Sequence, residues 1–455
     1  MNVVSRLRGD ELLGRVLRNS AHLFSSNSVS LALSVVQSIL AARILGPAGL
    51  GLVGIVMSFA STVNGLLSFR MSELVVRYGG KYLEDGETRR AAALIRAASL
   101  GESLVSVLAF VVVVLTSGSA ARLIAKAPGT EWMFVLYGLG LLANFNTETS
   151  TGVLQLTNQI RIRGTVNLVQ SAVSAIAIVV LFVANGRTPA QQGTALLAVL
   201  VAYLAGKVIL GLGLFGTARA ALTRVLGRGW SKTPLSTLPS LREVFGFAIS
   251  SNLSATAILV FRESEVLWVG FFLNSEAAGL YKIAYTIVSF LSVPADPLIL
   301  SVYPETNRLI VQKAWARLRD LLKKVTVLSL SYNVLLAAAL IVCGRWVLSV
   351  FGNQYVAAYP AMIALLVGIA FNYTLFWNRP ILLSFGMQNF ALGAVLTAGL
   401  LKVILAFPLV RRYGYVMEAV LLSGYYVLSV SLIAWRALKE LRRQEAMTER
   451  LLTPQ

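Results

Sequence analysis

The sequence predicts an all-α polytopic membrane protein: about twelve transmembrane helices in two pseudo-symmetric six-helix bundles with a cleft between them. Three observations predict this class. Hydrophobic residues make up 56% of the 455 residues and charged residues only 13%, about half of the roughly 25% usual in a soluble domain. Apolar runs recur at spanning length; a helix of roughly 20 residues crosses the hydrocarbon, so the chain has room for about a dozen. Finally, a segment of the first half returns in the second. Ser25-Ser26-Asn27, an apolar run and Leu45-Gly46-Pro47-Ala48-Gly49-Leu50-Gly51 are matched by Ser250-Ser251-Asn252, an apolar run and Leu273-Asn274-Ser275-Glu276-Ala277-Ala278-Gly279-Leu280-Tyr281. The offset is 225 to 228 positions, close to half the chain, as a duplicated bundle gives.

The elements follow in order. Residues 5–20 read as an interfacial helix, with Leu12, Leu13, Val16 and Leu17 on one face and Arg8, Arg15 and Arg18 around it. Spans are expected at 22–44, 48–69, 91–115, 133–155, 165–184 and 193–216, then at 244–272, 277–300, 325–346, 358–378, 388–410 and 415–436. This divides the chain into an N-terminal segment 1–21, a bundle 22–216, a linker 217–243, a bundle 244–436 and a tail 437–455. The linker is basic (Arg219, Arg224, Arg228, Lys232, Arg242) and holds Pro234 and Pro239. Pro294 and Pro297 flank Asp296 near the end of the eighth span, where lost backbone donors favour a kink.

The net charge is +20, and it sits between the apolar runs, so it reports orientation rather than nucleic-acid binding. Of the 40 Lys and Arg, 29 fall in the segments on the N-terminal side of the membrane and 7 in those on the other side. Basic loops resist translocation, so both termini are expected in the cytoplasm. One Cys and one His exclude a disulfide framework and a Cys/His metal site. Gly211, Gly213 and Gly216 match G-x-G-x-x-G, but they end a span and follow no strand, so they read as helix packing. No Walker A sequence and no cofactor motif is present. Transport driven by an existing H+ or Na+ gradient, by the membrane potential, or by no coupling is therefore expected.

Charges inside spans are the informative residues, because each costs a few kcal/mol at mid-bilayer unless it faces protein or water. Arg262, Glu263 and Glu265 lie together in the seventh span and Lys282 in the eighth. In a regular helix Arg262 and Glu265 share a face, and Glu263 points about 100° away. Two readings follow: a cavity lined by Arg262 and Lys282 that attracts an anion, or an internal Arg262–Glu265 ion pair. The third charge and Lys282 favour the cavity. Glu102, Lys207, Glu148 and Lys402 lie singly in other spans, and Glu102 with Lys207 is one candidate pair. Asn27 and Asn252 are repeat-equivalent polar residues, and the same shift sets Gln37 opposite Arg262. All three are candidate substrate contacts, with interhelical hydrogen bonding as the alternative. Glu263 and Glu265 are candidates for balancing charge or carrying a coupling proton.

Leu45-Gly46-Pro47-Ala48-Gly49-Leu50-Gly51 after an Ala-Arg span ending, Phe351-Gly352-Asn353-Gln354-Tyr355, and Ala278-Gly279-Leu280-Tyr281 resemble polysaccharide-export proteins of the Wzx type. The resemblance implies the multidrug/oligosaccharidyl-lipid/polysaccharide (MOP) superfamily fold, two six-helix bundles arranged as a V. It also implies a flippase, not an enzyme, in the bacterial plasma membrane. Its substrate would be an undecaprenyl-diphosphate-linked oligosaccharide for surface polysaccharide, such as O-antigen. Membrane lipids, a polysaccharide polymerase and other assembly proteins are the implied partners. The rivals are a multidrug and toxin extrusion antiporter, a lipid II flippase, and a membrane glycosyltransferase, ligase or polymerase. The cationic cleft counts against the first, and the short outer loops count against the enzymes.

Overall fold

The computed structural model describes residues 11–69, 71–187, 192–238, 256 and 258–452, with side chains from residue 29 on except 186–187, 296–297, 300–301 and 449–452. Most of the described residues are helical, and they include no strand. Among them, nine helices are long and apolar enough to cross a membrane. Contacts divide the chain into two units. The first comprises Met1–Gly46, Val56–Leu123 and Ala127–Thr256; the second comprises Pro47–Ile55, Ile124–Lys126 and Ala257–Gln455.

Helix α1 (Glu11–Leu67) covers the first two expected spans without a loop. Its break is local: Gly46 adopts φ 67°, ψ 179°, and Pro47 follows. Gly tolerates a positive φ and Pro opens the next helical stretch, so the dipeptide ends one helix and starts the next with no loop between them. In the first unit, α2 (Thr88–Ser119), α3 (Glu131–Ala143), α4 (Thr147–Leu156), α5 (Ile160–Arg187) and α6 (Gln192–Leu226) follow. Met71, Leu74, Val75, Leu94, Ile95 and Leu214 form a core here, and Trp230 and Leu238 pack against it. Helix α6 runs through the first ten residues of the expected linker and stops at Leu226, where Gly227 takes φ 82°. Arg96 then donates to the Thr233 carbonyl at 2.6 Å, which fastens the following strand-free segment to α2.

In the second unit come α7 (Glu265–Phe272), α8 (Ser275–Ser289), α9 (Ser292–Val311), α10 (Trp315–Phe351), α11 (Tyr359–Thr374), α12 (Asn378–Ser384), α13 (Gln388–Tyr413) and α14 (Tyr415–Leu452). Helix α14 packs along α11, α12 and α13. The Asn274 side chain caps α8 by accepting from Ala277 N at 2.9 Å. Pro47–Ile55 crosses α8 at the tightest point of this unit. A Cβ on Gly51 would strike the Ser275 carbonyl and the Gly279 amide; one on Gly279 would strike the Pro47 carbonyl and the Gly51 amide. Each contact is the other's image at an offset of 228, so the crossing is itself twofold and only glycine fits at its centre.

The repeat is also visible in helix lengths. Thr88–Ile124 and Trp315–Phe351 both run 37 residues. The next element is broken in both halves, at Asn144–Asn146 between α3 and α4 and at Leu375–Trp377 between α11 and α12.

Candidate functional site

The second unit holds a cavity of about 290 Å³ lined by Arg262, Asn372, Tyr373, Asn378, Arg379, Tyr425 and Tyr426 among others. Arg262 reaches it from a π-helical turn, Leu259–Glu263, that ends at Ser264 before α7 begins. A π turn shifts the hydrogen-bond ladder by one residue and strands backbone carbonyls, which is costly away from water. Three side chains take up the three successive carbonyls. Ser264 Oγ donates to Leu259 O at 2.9 Å, Trp268 Nε1 to Val260 O at 3.1 Å, and Lys402 Nζ to Phe261 O at 3.3 Å. Gly399, one turn before Lys402 on α13, leaves room for the Phe261 ring, because a Cβ there would meet that ring. The turn is thus built in, and it projects Arg262 with its guanidinium 5.6 Å from the centre of the Tyr426 ring.

This turn rules out the alternative reading, an internal Arg262–Glu265 ion pair. Glu265 is buried and pairs instead with Lys402, and its other oxygen accepts from Tyr281 Oη at 2.8 Å. Lys402 also lies 3.0 Å from Glu418 Oε1. Arg262 is left to the cavity, and Glu263 is exposed.

The other candidates are placed as follows. Lys282 does not line this cavity; its stem lies over Gly54, where an added Cβ would sit 2.9 Å from Lys282 Cδ. Gln37 is buried in the first unit and donates to the Ser171 carbonyl at 2.8 Å, the interhelical bond that was its alternative reading. Glu102 does not pair with Lys207. Its two oxygens accept from Glu148 N at 2.7 Å and Thr149 N at 2.8 Å, so it caps α4 from α2. A carboxylate at a helix N-terminus meets unpaired donors and the positive end of the dipole. Lys207 is exposed. Asn252 and the side chains of Asn27 and Asp296 lie outside the described residues.

The two broken helices carry opposite charge. In the first unit the second residue after the break is Glu148, which accepts from Ser72 Oγ at 2.6 Å, with Glu102 beside it. In the second unit the same place holds Arg379. The counterpart of Glu102, fifteenth in a helix of equal length, is Ser329, whose buried hydroxyl has no hydrogen-bond partner. Two carboxylates have been exchanged for a serine and a guanidinium. Together with Arg262 this makes the cavity of the second unit cationic, with phenol and amide groups around it, a lining suited to a multiply charged oxyanion bearing hydroxyl groups. The expected tenth span ends at residue 378, which leaves Arg379 in the inner segment that follows; the register of the repeat is the signal that would have found it.

The comparisons agree with this fold. A family model described as polysaccharide biosynthesis protein matches residues 16–310. The inner membrane protein YghQ of Escherichia coli is 25% identical over 355 residues, covering 76% of this chain and 94% of its own. An inward-facing MATE-family transporter of the MOP superfamily superposes with TM-score 0.70 at 12% identity, over 93% of this chain and 99% of that one. The lipid II flippase MurJ, in an inward closed conformation, superposes with TM-score 0.66 at 15% identity, over 94% and 90%. This multi-pass membrane protein, built on the helical fold of the MOP-superfamily transporters, belongs to the polysaccharide biosynthesis protein family.

Proposed function

We propose that the protein flips a lipid-linked oligosaccharide, carried on a polyprenyl diphosphate, from the inner to the outer leaflet of the plasma membrane during surface polysaccharide synthesis. The observation that carries this reading is the single cavity shared by Arg262 and Arg379. A diphosphate with sugars cannot enter hydrocarbon, because an unpaired buried ion costs many kcal/mol. Two guanidinia stay protonated and offer forked donors to phosphate oxygens. Tyr373, Tyr425 and Tyr426 offer ring faces and hydroxyls, and Asn372 and Asn378 offer amides, to the sugars. The polyprenyl tail stays in the lipid. With the inside negative, each negative charge moved outward gains about 2.3 kcal/mol per 100 mV. The name of YghQ, an inner membrane protein, supports the plasma membrane, and the bias of basic residues supports cytoplasmic termini.

A cation-extruding antiporter is the second reading, favoured by the carboxylates Glu265 and Glu418. Lys402 lies between them and neither carboxylate lines the cavity, so no acidic group faces a cationic drug there. Reconstitution separates the two. In proteoliposomes loaded with a polyprenyl-diphosphate oligosaccharide, wild-type protein exposes the glycan at the far leaflet. Arg262→Ala and Arg379→Ala each slow this roughly tenfold or more, as loss of a charge-assisted contact of about 1.5–3 kcal/mol implies. Normal flipping by both variants at wild-type protein levels excludes the cavity as the headgroup site.

A further inference from the structure

Three guanidinia at one end of the second unit belong neither to its ion pairs nor to its cavity. Arg345 lies near the end of α10, and Arg411 and Arg412 lie in the last turn of α13, where Gly414 at φ 77° turns the chain into α14. Tyr415 Oη donates to the Ala357 carbonyl at 2.8 Å and ties that turn to the segment leading from α10 into α11. All three arginines are exposed, and none pairs with a carboxylate among the described residues. Each guanidinium lies instead over an aromatic ring: Arg345 over Tyr359 at 5.1 Å, Arg411 over Phe272 at 6.0 Å and Arg412 over Tyr413 at 5.4 Å. Two of these rings are themselves held. Tyr359 Oη donates to the Ile341 carbonyl at 2.8 Å, and Phe272 packs against Trp268, Phe271 and Phe407. Elsewhere in the unit Arg308, Arg319, Arg436 and Arg443 each lie against a carboxylate. A carboxylate takes up the donors of a guanidinium; a ring orients its plane from one face and leaves the N–H edge free for an oxyanion.

Their depth says what that edge meets. Large apolar side chains of α10 are exposed from Val327 to Trp346. At 1.5 Å per residue this stretch covers about 30 Å, the thickness of the hydrocarbon, so Arg345 stands at its border. On α13 the exposed apolar run from Leu400 ends at Phe407, one turn before Arg411. Trp346 and Tyr413, 72% and 54% exposed, stand beside these arginines as aromatic residues do at the headgroup level. By loop charge this end lies away from the cytoplasm, where basic residues oppose insertion. The three arginines are among only seven Lys and Arg on that side, so topology does not account for them. We propose that Arg345, Arg411 and Arg412 form a binding surface for the phosphate headgroups of anionic phospholipid in the leaflet at this end. The occupant is bulk lipid, because the surface adjoins the lipid-facing apolar band and none of the three lines the cavity. It fixes this end of the second unit at headgroup depth. The proposal does not rest on the transport reading above.

Cys343, the one cysteine of the chain, is exposed and lies two residues before Arg345, so it takes a fluorophore beside the site. Full-length protein labelled there is placed in phosphatidylcholine nanodiscs that hold either brominated phosphatidylglycerol or brominated phosphatidylcholine at equal mole fraction, and the quenching is compared. Brominated phosphatidylglycerol is expected to be enriched beside the label by roughly fivefold or more, as attraction of an anionic lipid to basic residues implies. The preference disappears in the triple variant Arg345→Gln, Arg411→Gln, Arg412→Gln and remains in the opposite-end control Arg317→Gln, Lys323→Gln. Arg345→Gln alone, the change nearest the label, lowers it by roughly twofold or more. Equal quenching by both lipids in wild type overturns the proposal. So does a preference that survives the triple variant, or that survives Arg345→Gln should the triple variant not fold. A preference lost equally in the control marks a general effect of net charge, and one abolished by inorganic phosphate makes the ligand a free anion; either result also overturns the lipid surface.

Discussion

Lys402 shows how much a solitary charge in an apolar run can hold. It neutralises Glu265, approaches Glu418 and supports the Phe261 carbonyl. Lys402→Ala leaves two buried carboxylates without their cation, and breaking a buried pair costs about 3–5 kcal/mol. The expected result is a large fall in the thermal midpoint in detergent. A triple variant, Lys402→Met with Glu265→Gln and Glu418→Gln, recovers most of it, because no unpaired charge remains. Arg262 was legible from the sequence, since a guanidinium among apolar residues has to face protein or water. Arg379 and Glu418 were not. Each lies near the end of an apolar run, where a charge is ordinarily solvated, so only the tertiary packing sets them apart. Lys282 misled for a related reason: adjacency of spans does not fix which side of a helix meets the neighbour, and here that side meets Gly54.

At the scale of elements, the π turn at Leu259–Glu263 is where periodicity reasoning failed. Spacing three apart puts two residues on one face only if the ladder is regular, and one extra residue rotated Glu265 away from Arg262. The turn carries its own prediction. Ser264→Ala removes the donor to the Leu259 carbonyl, at a cost of about 1–3 kcal/mol for a buried unsatisfied acceptor. It should lower stability measurably and weaken binding of an oligosaccharide diphosphate, although Ser264 does not line the cavity. Unchanged affinity in Ser264→Ala would mean that the turn does not position Arg262. The kink in α1 was partly legible. Gly46-Pro47 marked a boundary, but only the structure showed that the helix resumes at once, because no residue intervenes between the permissive glycine and the proline that restarts it. The crossing of Pro47–Ile55 with α8 is a second case. Gly51→Leu places a branched side chain where the Ser275 carbonyl and the Gly279 amide lie. Overpacking of that kind costs typically 1–3 kcal/mol and sometimes more, so a lower midpoint is expected, read against Gly393→Leu, where nothing lies within 4 Å of an added Cβ.

For the whole molecule, the all-helical class was legible from composition alone, and the duplication from a few short matches. The charge relation between the halves was hidden, because it depends on register across helices of equal length rather than on any motif. Orientation rests on loop charge and is checked directly. With the exposed native Cys343 changed to Ser, single cysteines at Lys313 and Arg412 should label from opposite sides of the membrane, Lys313 from the cytoplasm. Labelling of both from one side would reverse the assignment of one of the intervening spans. The glycine crossing has one more implication. Gly51 meets Gly279 and Gly54 meets Lys282, so each residue touches its own counterpart. A seam of that kind requires nothing that distinguishes one half of the gene from the other. A half-length ancestor could have closed it by pairing with a second copy of itself, which makes fusion of two identical protomers a sufficient starting point, with the acidic and basic broken helices as the later divergence.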